Sequence, residues 1–224
     1  MDHLRRVEQM TESLCAAAAE GDLARCTELT SQGADVNEGL LSSPLLDPYS
    51  SPADHLSSLP LHHACKSGHL EVARFLLEQG SDYSSYLTGL SAVEMAAANN
   101  SCEILELLIE RGASVEDSGA GGRPPIVSAA AGGCIEALQL LLDAGADPNA
   151  ADLLGNTALH VVVTALPDPS DIIRTMLLHG ADRTRRNLSG ESAARLALKS
   201  MNALAIKAME VDSEIGANAG LERT

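Results

Sequence analysis

Aromatic residues are almost absent from this chain. It contains no tryptophan, three tyrosines and one phenylalanine, Phe75, so aromatics make up 2% of its 224 residues. Hydrophobic residues nevertheless reach 45%. A core of this composition has to be filled by leucine, alanine, isoleucine and valine. The small side chains among them let neighbouring helices approach closely.

Positive charge is also scarce. The chain has 15 lysines and arginines against 31 aspartates and glutamates, a net charge of −16. Residues 1–118 carry 6 basic and 19 acidic side chains, whereas residues 119–224 carry 9 and 12. Affinity for nucleic acid requires a basic surface, so we expect no nucleic-acid partner. The acidic half suits a basic protein partner, or it serves solubility alone.

The sequence lacks long apolar segments and paired cysteines. No stretch approaches 18 apolar residues without a charge, and the segment 1–6 has no secretory signal, so we expect no membrane insertion. The five cysteines are odd in number, widely spaced and never in a CxxC pair. We therefore expect an intracellular protein, in the cytoplasm and/or the nucleus, without disulfides.

Motifs for catalysis or metal binding are missing as well. His62, His63, Cys65 and His69 lie close together, but a zinc site needs a tetrahedral set of ligands and we expect no metal. The glycine-rich segment 118–123 lacks the GK[ST] ending of a phosphate-binding loop. No nucleophile elbow or HExxH helix occurs. The sequence predicts neither an enzyme nor a cofactor.

What the sequence does contain is an internal repeat. Five stretches of small and leucine-rich residues end in a similar tripeptide: Gly33-Ala34-Asp35, Gly80-Ser81-Asp82, Gly112-Ala113-Ser114, Gly145-Ala146-Asp147 and Gly180-Ala181-Asp182. The opening positions Pro60, Ala92, Pro125, Ala158 and Ala193 follow one another at steps of 32, 33, 33 and 35 residues. A period near 33 predicts a helical solenoid, in which each unit buries its apolar face against the next.

The residues within each repeat predict helix starts, helix ends and a core. Pro60 and Pro125 suit the first turn of a helix, where a backbone amide has no partner in any case. Glycines suit the left-handed residue after a helix. Four leucine pairs are expected to supply the apolar faces: Leu76-Leu77, Leu107-Leu108, Leu141-Leu142 and Leu177-Leu178.

Several segments resemble the ankyrin repeat family. The stretch Leu59–Asp82 looks like that family's signature almost throughout, Gly155–His160 resembles its opening hexapeptide, and Gly145–Ala150 resembles its close. The resemblance implies an all-α solenoid of about six helix-turn-helix repeats, with short β-hairpin-like fingers and irregular capping repeats. It also implies that His62 and His160 bond to the backbone of a neighbouring loop.

The repeat pattern divides the chain into three parts. Residues 1–10 are assigned to an N-terminal extension, residues 11–207 to the repeat domain and residues 208–224 to a polar tail. The repeats are placed at about 11–37, 59–85, 86–118, 119–151, 152–186 and 187–207. A segment rich in proline and serine, 38–58, interrupts them, and Ser43 and Ser51 within it precede prolines and are candidate phosphorylation sites.

The resemblance implies that partners bind at the fingertips and on the concave face. Leu87, Leu153 and Leu188 occupy equivalent fingertip positions, with Ala120 between them. The predicted binding residues are Lys66, Tyr86, Leu87, Leu90, Asn99, Arg123, Leu153, Leu154, Asn156 and Leu188. The leucines either form an apolar strip that anchors a partner or fold back onto adjacent fingers. Arg185 and Arg186 are a candidate patch for a carboxylate or a phosphate.

Two functions from different classes are consistent with the sequence. The first is a non-catalytic adaptor, scaffold or regulatory subunit that binds a protein or peptide, monomeric by itself. The alternative is an acidic escort or chaperone for a basic client protein. Salt separates them, because ionic strength weakens charge attraction far more than apolar contact.

Overall fold

The computed structural model describes residues 2–38, 59–84, 89–119 and 121–209. Within these residues the protein contains twelve helices and no strands, with two isolated antiparallel bridges, Ala151 to Thr157 and Arg186 to Ser192. The helices are α1 (Asp2–Glu20), α2 (Leu23–Ser31), α3 (Pro60–Ser67), α4 (Leu70–Glu78), α5 (Ala92–Ala98), α6 (Cys102–Glu110), α7 (Pro125–Gly132), α8 (Ile135–Asp143), α9 (Ala158–Ala165), α10 (Ser170–Leu178), α11 (Ala193–Lys199) and α12 (203–209).

The helices form six consecutive pairs arranged in two layers. The first helices of the pairs pack side by side in the order α1, α3, α5, α7, α9 and α11. The second helices do the same from α2 to α10. Each repeat therefore contacts its neighbours in the chain, as a solenoid requires. The all-α repeat architecture predicted from the sequence is confirmed.

The predicted helix starts and ends are also confirmed. Pro60 and Pro125 are the first residues of α3 and α7. Gly68 and Gly133 end these helices with φ of +76° and +71°, in the left-handed region that glycine adopts without a side-chain clash. Asn100 takes the equivalent position after α5 with φ of +55°. These local choices set the lengths of the helices and hence the spacing of the loops.

Most of the predicted leucine pairs lie in the core. Leu76, Leu108 and Leu141 are fully buried, and their partners are nearly so. The last pair differs, because Leu177 is half-buried and Leu178 is 69% exposed at the end of α10. Leucine at this position is therefore not required by the core of every repeat.

The first helix is longer than the repeat pattern predicts. It begins at Asp2, so residues 2–10, assigned from the sequence to an extension, continue directly into the first repeat as part of α1. In the described part of the chain, no helix is both long enough and apolar enough to cross a membrane. All five cysteines are free, and burial raises the pKa of Cys15 and Cys65 to about 12.

Candidate protein-binding surface

Two neighbouring fingers are each closed by one Asp or Asn side chain that accepts hydrogen bonds from backbone N–H groups of the loop. In the loop between α8 and α9, the Asp152 carboxylate accepts hydrogen bonds from the backbone N–H of Leu154 (2.9 Å) and Asn156 (2.8 Å). In the loop between α10 and α11, the side chain of Asn187 accepts from Ser189 and Glu191, both at 3.0 Å. Because the Asp and Asn side chains close these turns, the residues at the tips remain outside the core.

The tips of these two fingers carry exposed leucines. Leu153 is 72% exposed, Leu154 is 64% exposed and Leu188 is 79% exposed. The two fingers touch through the backbone, since the N–H of Leu188 donates to the carbonyl of Leu154 at 3.0 Å. The three side chains therefore lie on adjacent loops rather than scattered over the surface.

Leu153 also lies against the preceding finger. A Cβ at Gly122 would be 2.7 Å from the side chain of Leu153, so the leucine covers this glycine closely. The contact occupies only part of the side chain, which keeps most of its surface in solvent. Leu153 therefore combines the two arrangements expected from the sequence, because it folds onto the adjacent finger and still presents apolar surface to solvent.

Asn156 has a structural role within this surface. Its side-chain oxygen accepts a hydrogen bond from Nδ2 of Asn187 at 2.8 Å, and its own Nδ2 donates to Asp152 at 3.3 Å. These bonds tie one finger to the next. Asn156 is half-buried and holds the leucine-bearing loops in place.

The remaining predicted residues are distributed along the same series of repeats. Lys66 and Asn99 are exposed near the carboxyl ends of α3 and α5, where both line a cleft of about 340 Å³. The seven residues of α5 place its end about 10 Å from the finger that precedes it. The predicted set therefore divides into a finger group and a helix-end group.

Two further predicted residues, Arg123 and Leu90, lie within the described part of the chain. Arg123 is exposed two residues before the start of α7. Leu90 is half-buried, and its carbonyl lies 3.1 Å from Nε2 of His62. Tyr86 and Leu87, together with the candidate phosphorylation sites Ser43 and Ser51, lie outside the described residues.

The two histidines at the repeat signature bond to the next finger, as the family resemblance implies. Nε2 of His62 lies 3.1 Å from the carbonyl of Leu90, and Nε2 of His160 lies 3.0 Å from the carbonyl of Glu191. Burial lowers the pKa of His62 to about 4 and lowers that of His160. Neutral rings at these positions stabilise the contact between repeats.

The two histidine rings differ in what their Nδ1 atoms contact. Nδ1 of His160 lies 2.9 Å from the hydroxyl of Thr157, completing a capping box at the start of α9. His62 has Leu59 at the corresponding position, and its buried Nδ1 has no hydrogen-bond partner among the described residues. Across residues 2–38, 59–84, 89–119 and 121–209, no cluster of three or more His, Cys, Asp or Glu side chains could hold a metal ion.

A buried carboxyl group replaces the histidine in the third repeat. Glu94 stands at the histidine position of α5 and is 1% exposed. Its Oε1 accepts a hydrogen bond from the hydroxyl of Ser128 at 2.8 Å, while Oε2 is buried with no hydrogen-bond partner within the described ranges. Burial raises the pKa of Glu94 to about 7, against the hydrogen bond from Ser128 and the charge of Arg123. The only signal in the sequence is an acidic residue at a core position of the repeat.

Proteins of known sequence resemble this chain over most of its length. SAT10 of Stachybotrys chartarum, an ankyrin repeat domain-containing protein, is 28% identical over 217 residues, which is 94% of this chain and 10% of that protein. The B-cell lymphoma 3 protein homolog of Mus musculus is 29% identical over 150 residues, 64% of this chain and 33% of that protein. The chain thus spans a third or less of the length of these relatives.

A solved structure has the same architecture. One chain from the complex of the predatory endopeptidase Bd0816 of Bdellovibrio bacteriovorus with the immunity protein Bd3460 superposes with a TM-score of 0.69 and 27% identity. The match covers 88% of this chain and 95% of that one. The family model described as ankyrin repeats, in three copies, matches residues 14–119 and 94–187. The chain therefore belongs to the ankyrin repeat family.

Proposed function

We propose that this protein is a non-catalytic adaptor that binds a protein partner through its fingertips. Ankyrin repeats are in general modules for protein–protein interaction, and the repeat fold carries no catalytic apparatus of its own. The observation that supports the site is the strip formed by Leu153, Leu154 and Leu188 on two hydrogen-bonded fingers. The protein acts as a monomer in the cytoplasm or nucleus and binds neither nucleic acid nor a membrane.

The strip suits a protein partner because it combines exposure with rigidity. Each leucine stands on a turn closed by Asp152 or Asn187, so its backbone position is set before binding. Burying a preorganised apolar side chain costs less entropy than ordering a mobile one. Full burial of one leucine contributes about 1.5 to 3 kcal/mol, so two leucines change affinity by roughly a hundredfold or more.

The other predicted residues are included in the proposed binding site. Leu90 and Arg123 belong to the preceding fingers, and the proposed site also includes Tyr86 and Leu87, which lie outside the described residues. Lys66 and Asn99 line the cleft at the helix ends, where a longer partner segment would reach. Ser43 and Ser51 lie outside the described residues, and we propose that their phosphorylation, which adds negative charge, regulates access of the partner.

The Bdellovibrio complex supports a protein as the partner. In that complex an endopeptidase is bound to an immunity protein, and a chain of the assembly shares this fold over 88% of our chain. The relative from Mus musculus is matched over a third of its own length.

A matched set of variants tests the site. Wild-type protein, the double variant Leu153→Asp/Leu188→Asp and the control Leu178→Asp are used for affinity purification from cells that express the protein, with identification by mass spectrometry. Leu178 is 69% exposed but lies on the second-helix layer, so it controls for an acidic substitution at an exposed leucine. We expect the double variant alone to lose the partner. Retention of the partner by all three proteins, with unchanged circular dichroism, would refute the fingertip site.

The net charge of −16 favours a second candidate, an acidic escort for a basic client. The two functions differ in salt dependence. Contacts through the leucine strip persist when the wash is raised from 0.1 to about 1 M salt, where the screening length falls from about 10 Å to 3 Å. Basic proteins held by the acidic half would be released in that wash, independently of Leu153 and Leu188.

A further inference from the structure

The C-terminal end of the solenoid is basic although the protein is strongly acidic. Residues 172–209 carry seven lysines and arginines against two acidic residues, whereas the whole chain has a net charge of −16. The described residues around the last finger and α11 therefore differ in charge from the remaining surface. A local reversal of this size points to a requirement other than solubility.

Three of these cations gather around one carboxylate. Nζ of Lys199 donates to Oε1 of Glu191 at 2.6 Å, and Nε of Arg195 lies 3.1 Å from its Oε2. The guanidinium of Arg186 donates to the carbonyl of Gly190 at 2.8 Å, next to the same residue. These contacts hold the pKa of Glu191 below its ordinary value, first through the hydrogen bond from Lys199. The group keeps an excess of two positive charges.

Glu191 holds Arg195 and Lys199 in place but neutralises only one of the group's three positive charges. Its side chain is only 16% exposed, and its backbone carbonyl accepts from the ring of His160, so its position is fixed. Arg195 and Lys199 are 59% and 56% exposed. The two Nη atoms of Arg195 have no hydrogen-bond partner among the described residues. They are free to bind a second carboxylate, and guanidinium groups bind carboxylates in a bidentate manner.

An apolar anchor stands beside this group. Leu188 lies at the tip of the finger that carries Arg186 and Glu191, and 79% of its surface is exposed. Lys199 occupies the same place in α11 that Lys66 occupies in α3, on the first-helix layer. The finger and the helix thus present apolar surface and positive charge together, at one end of the leucine strip.

We propose that Arg186, Arg195 and Lys199, together with Leu188, form a subsite for an acidic segment of the protein partner, one that carries aspartate or glutamate beside apolar side chains. The proposal rests on the adaptor function above and names the chemistry of the partner at one end of the strip. Charge complementarity fixes the direction in which the partner lies along the fingers, because residues 172–209 are basic whereas residues 1–118 are acidic.

Three synthetic peptides test the charge preference directly. They share leucines at the same positions and carry glutamate, glutamine or lysine at the others, with a fluorophore for anisotropy at 0.15 M salt. We expect the glutamate peptide to bind wild-type protein at least tenfold more tightly than the lysine peptide. In Arg195→Gln/Lys199→Gln, its affinity falls roughly tenfold while that of the glutamine peptide changes less than twofold.

A matched double variant controls for the lost charges. Arg25 and Arg174 are exposed arginines in ion pairs on α2 and α10, so Arg25→Gln/Arg174→Gln removes the same charge from the second-helix layer. Its affinity for the glutamate peptide is expected to stay within twofold of wild type. If the first variant unfolds, Arg186→Gln, which leaves both ion pairs of Glu191 intact, replaces it.

The outcomes separate the subsite from the adaptor function. Equal binding of the three peptides, no binding of the glutamate peptide up to millimolar concentration, or equal loss in the control variant would overturn the subsite. If Leu153→Asp/Leu188→Asp loses the cellular partner but the charge variant retains it, the subsite fails and the adaptor function stands. Concentration-dependent dimerisation in sedimentation, lost in the charge variant, would assign the site to the acidic half of a second copy instead.

Discussion

The buried carboxyl group of Glu94 makes the stability of the protein depend on pH in an unusual direction. Its pKa is raised from 4.5 to about 7 by burial, so the folded state keeps a proton that the unfolded state releases above pH 4.5. Stability from this group is complete below pH 4.5 and is lost as the pH rises through 7. A shift of this size corresponds to about 3 kcal/mol of unfolding free energy.

His62 acts in the opposite direction over nearly the same range. Burial lowers its pKa from 6.5 to about 4, so the unfolded state binds the proton first as the pH falls. Its contribution is present above pH 6.5 and is lost toward pH 4, again by about 3 kcal/mol. The two effects largely cancel between pH 4.5 and 6.5, and wild-type protein alone would show little of either.

Substitution of Glu94 separates its contribution to the pH dependence of stability from that of His62. Glu94→Gln keeps the shape of the side chain and removes its titration. We expect the free energy of unfolding of the variant, relative to wild type, to rise by about 3 kcal/mol between pH 4.5 and pH 8. Urea denaturation followed by circular dichroism at 222 nm, at intervals of half a pH unit, measures this difference. The slope of the denaturation curve has to stay constant for the comparison to hold.

An exposed glutamate supplies the control. Glu103 lies on the surface of α6, and Glu103→Gln removes the same charge without opening a buried site. Its difference from wild type is expected to vary by less than about 0.5 kcal/mol over the same range. If the difference for Glu94→Gln is equally independent of pH, the carboxyl group is charged in the folded state and the argument from its burial is wrong.

Three further predictions concern the cap of α9, a close contact between repeats and the reactivity of a cysteine. Thr157→Val removes the hydroxyl that caps α9 and leaves Nδ1 of His160 with the backbone N–H of residue 157 alone, so we expect a loss of about 1 to 2 kcal/mol in urea denaturation; a loss below 0.3 kcal/mol would contradict this. Gly132→Ala places a Cβ 2.7 Å from a backbone oxygen of the preceding repeat and should lower the melting temperature more than Gly145→Ala, which meets only an unfavourable positive φ. Cys102 is the one cysteine that is not buried, so alkylation followed by mass spectrometry should modify it first.

The leucine strip and the basic subsite make different demands on a partner. The strip supplies apolar burial at Leu153 and Leu188, which governs how slowly the complex dissociates. The basic group around Glu191 governs which partner segment is accepted and in which orientation. A solenoid is suited to this division, because each repeat contributes one finger and the composition of each finger varies independently.

The locally encoded features could be predicted from the sequence. Pro60 and Pro125 begin helices because the fixed φ of proline suits the first turn, and Gly68 and Gly133 end them because glycine adopts a left-handed backbone. The repeat period then follows from helices of nearly equal length. The sequence also placed leucines at the fingertips, since equivalent positions can be aligned once the period is known.

The properties of the candidate sites were decided by residues far apart in the chain. Glu94 is buried by contacts with α7, and its hydrogen-bond donor, Ser128, lies 34 positions away. Asn156 is bound by Asn187, 31 residues later, which no local pattern indicates. Exposure and pKa depend on which neighbours remove water from a group, and in a solenoid those neighbours belong to the next repeat. The sequence by itself therefore determined the helices and their period, whereas the packing of repeat on repeat decided which side chains are buried, charged or free to bind.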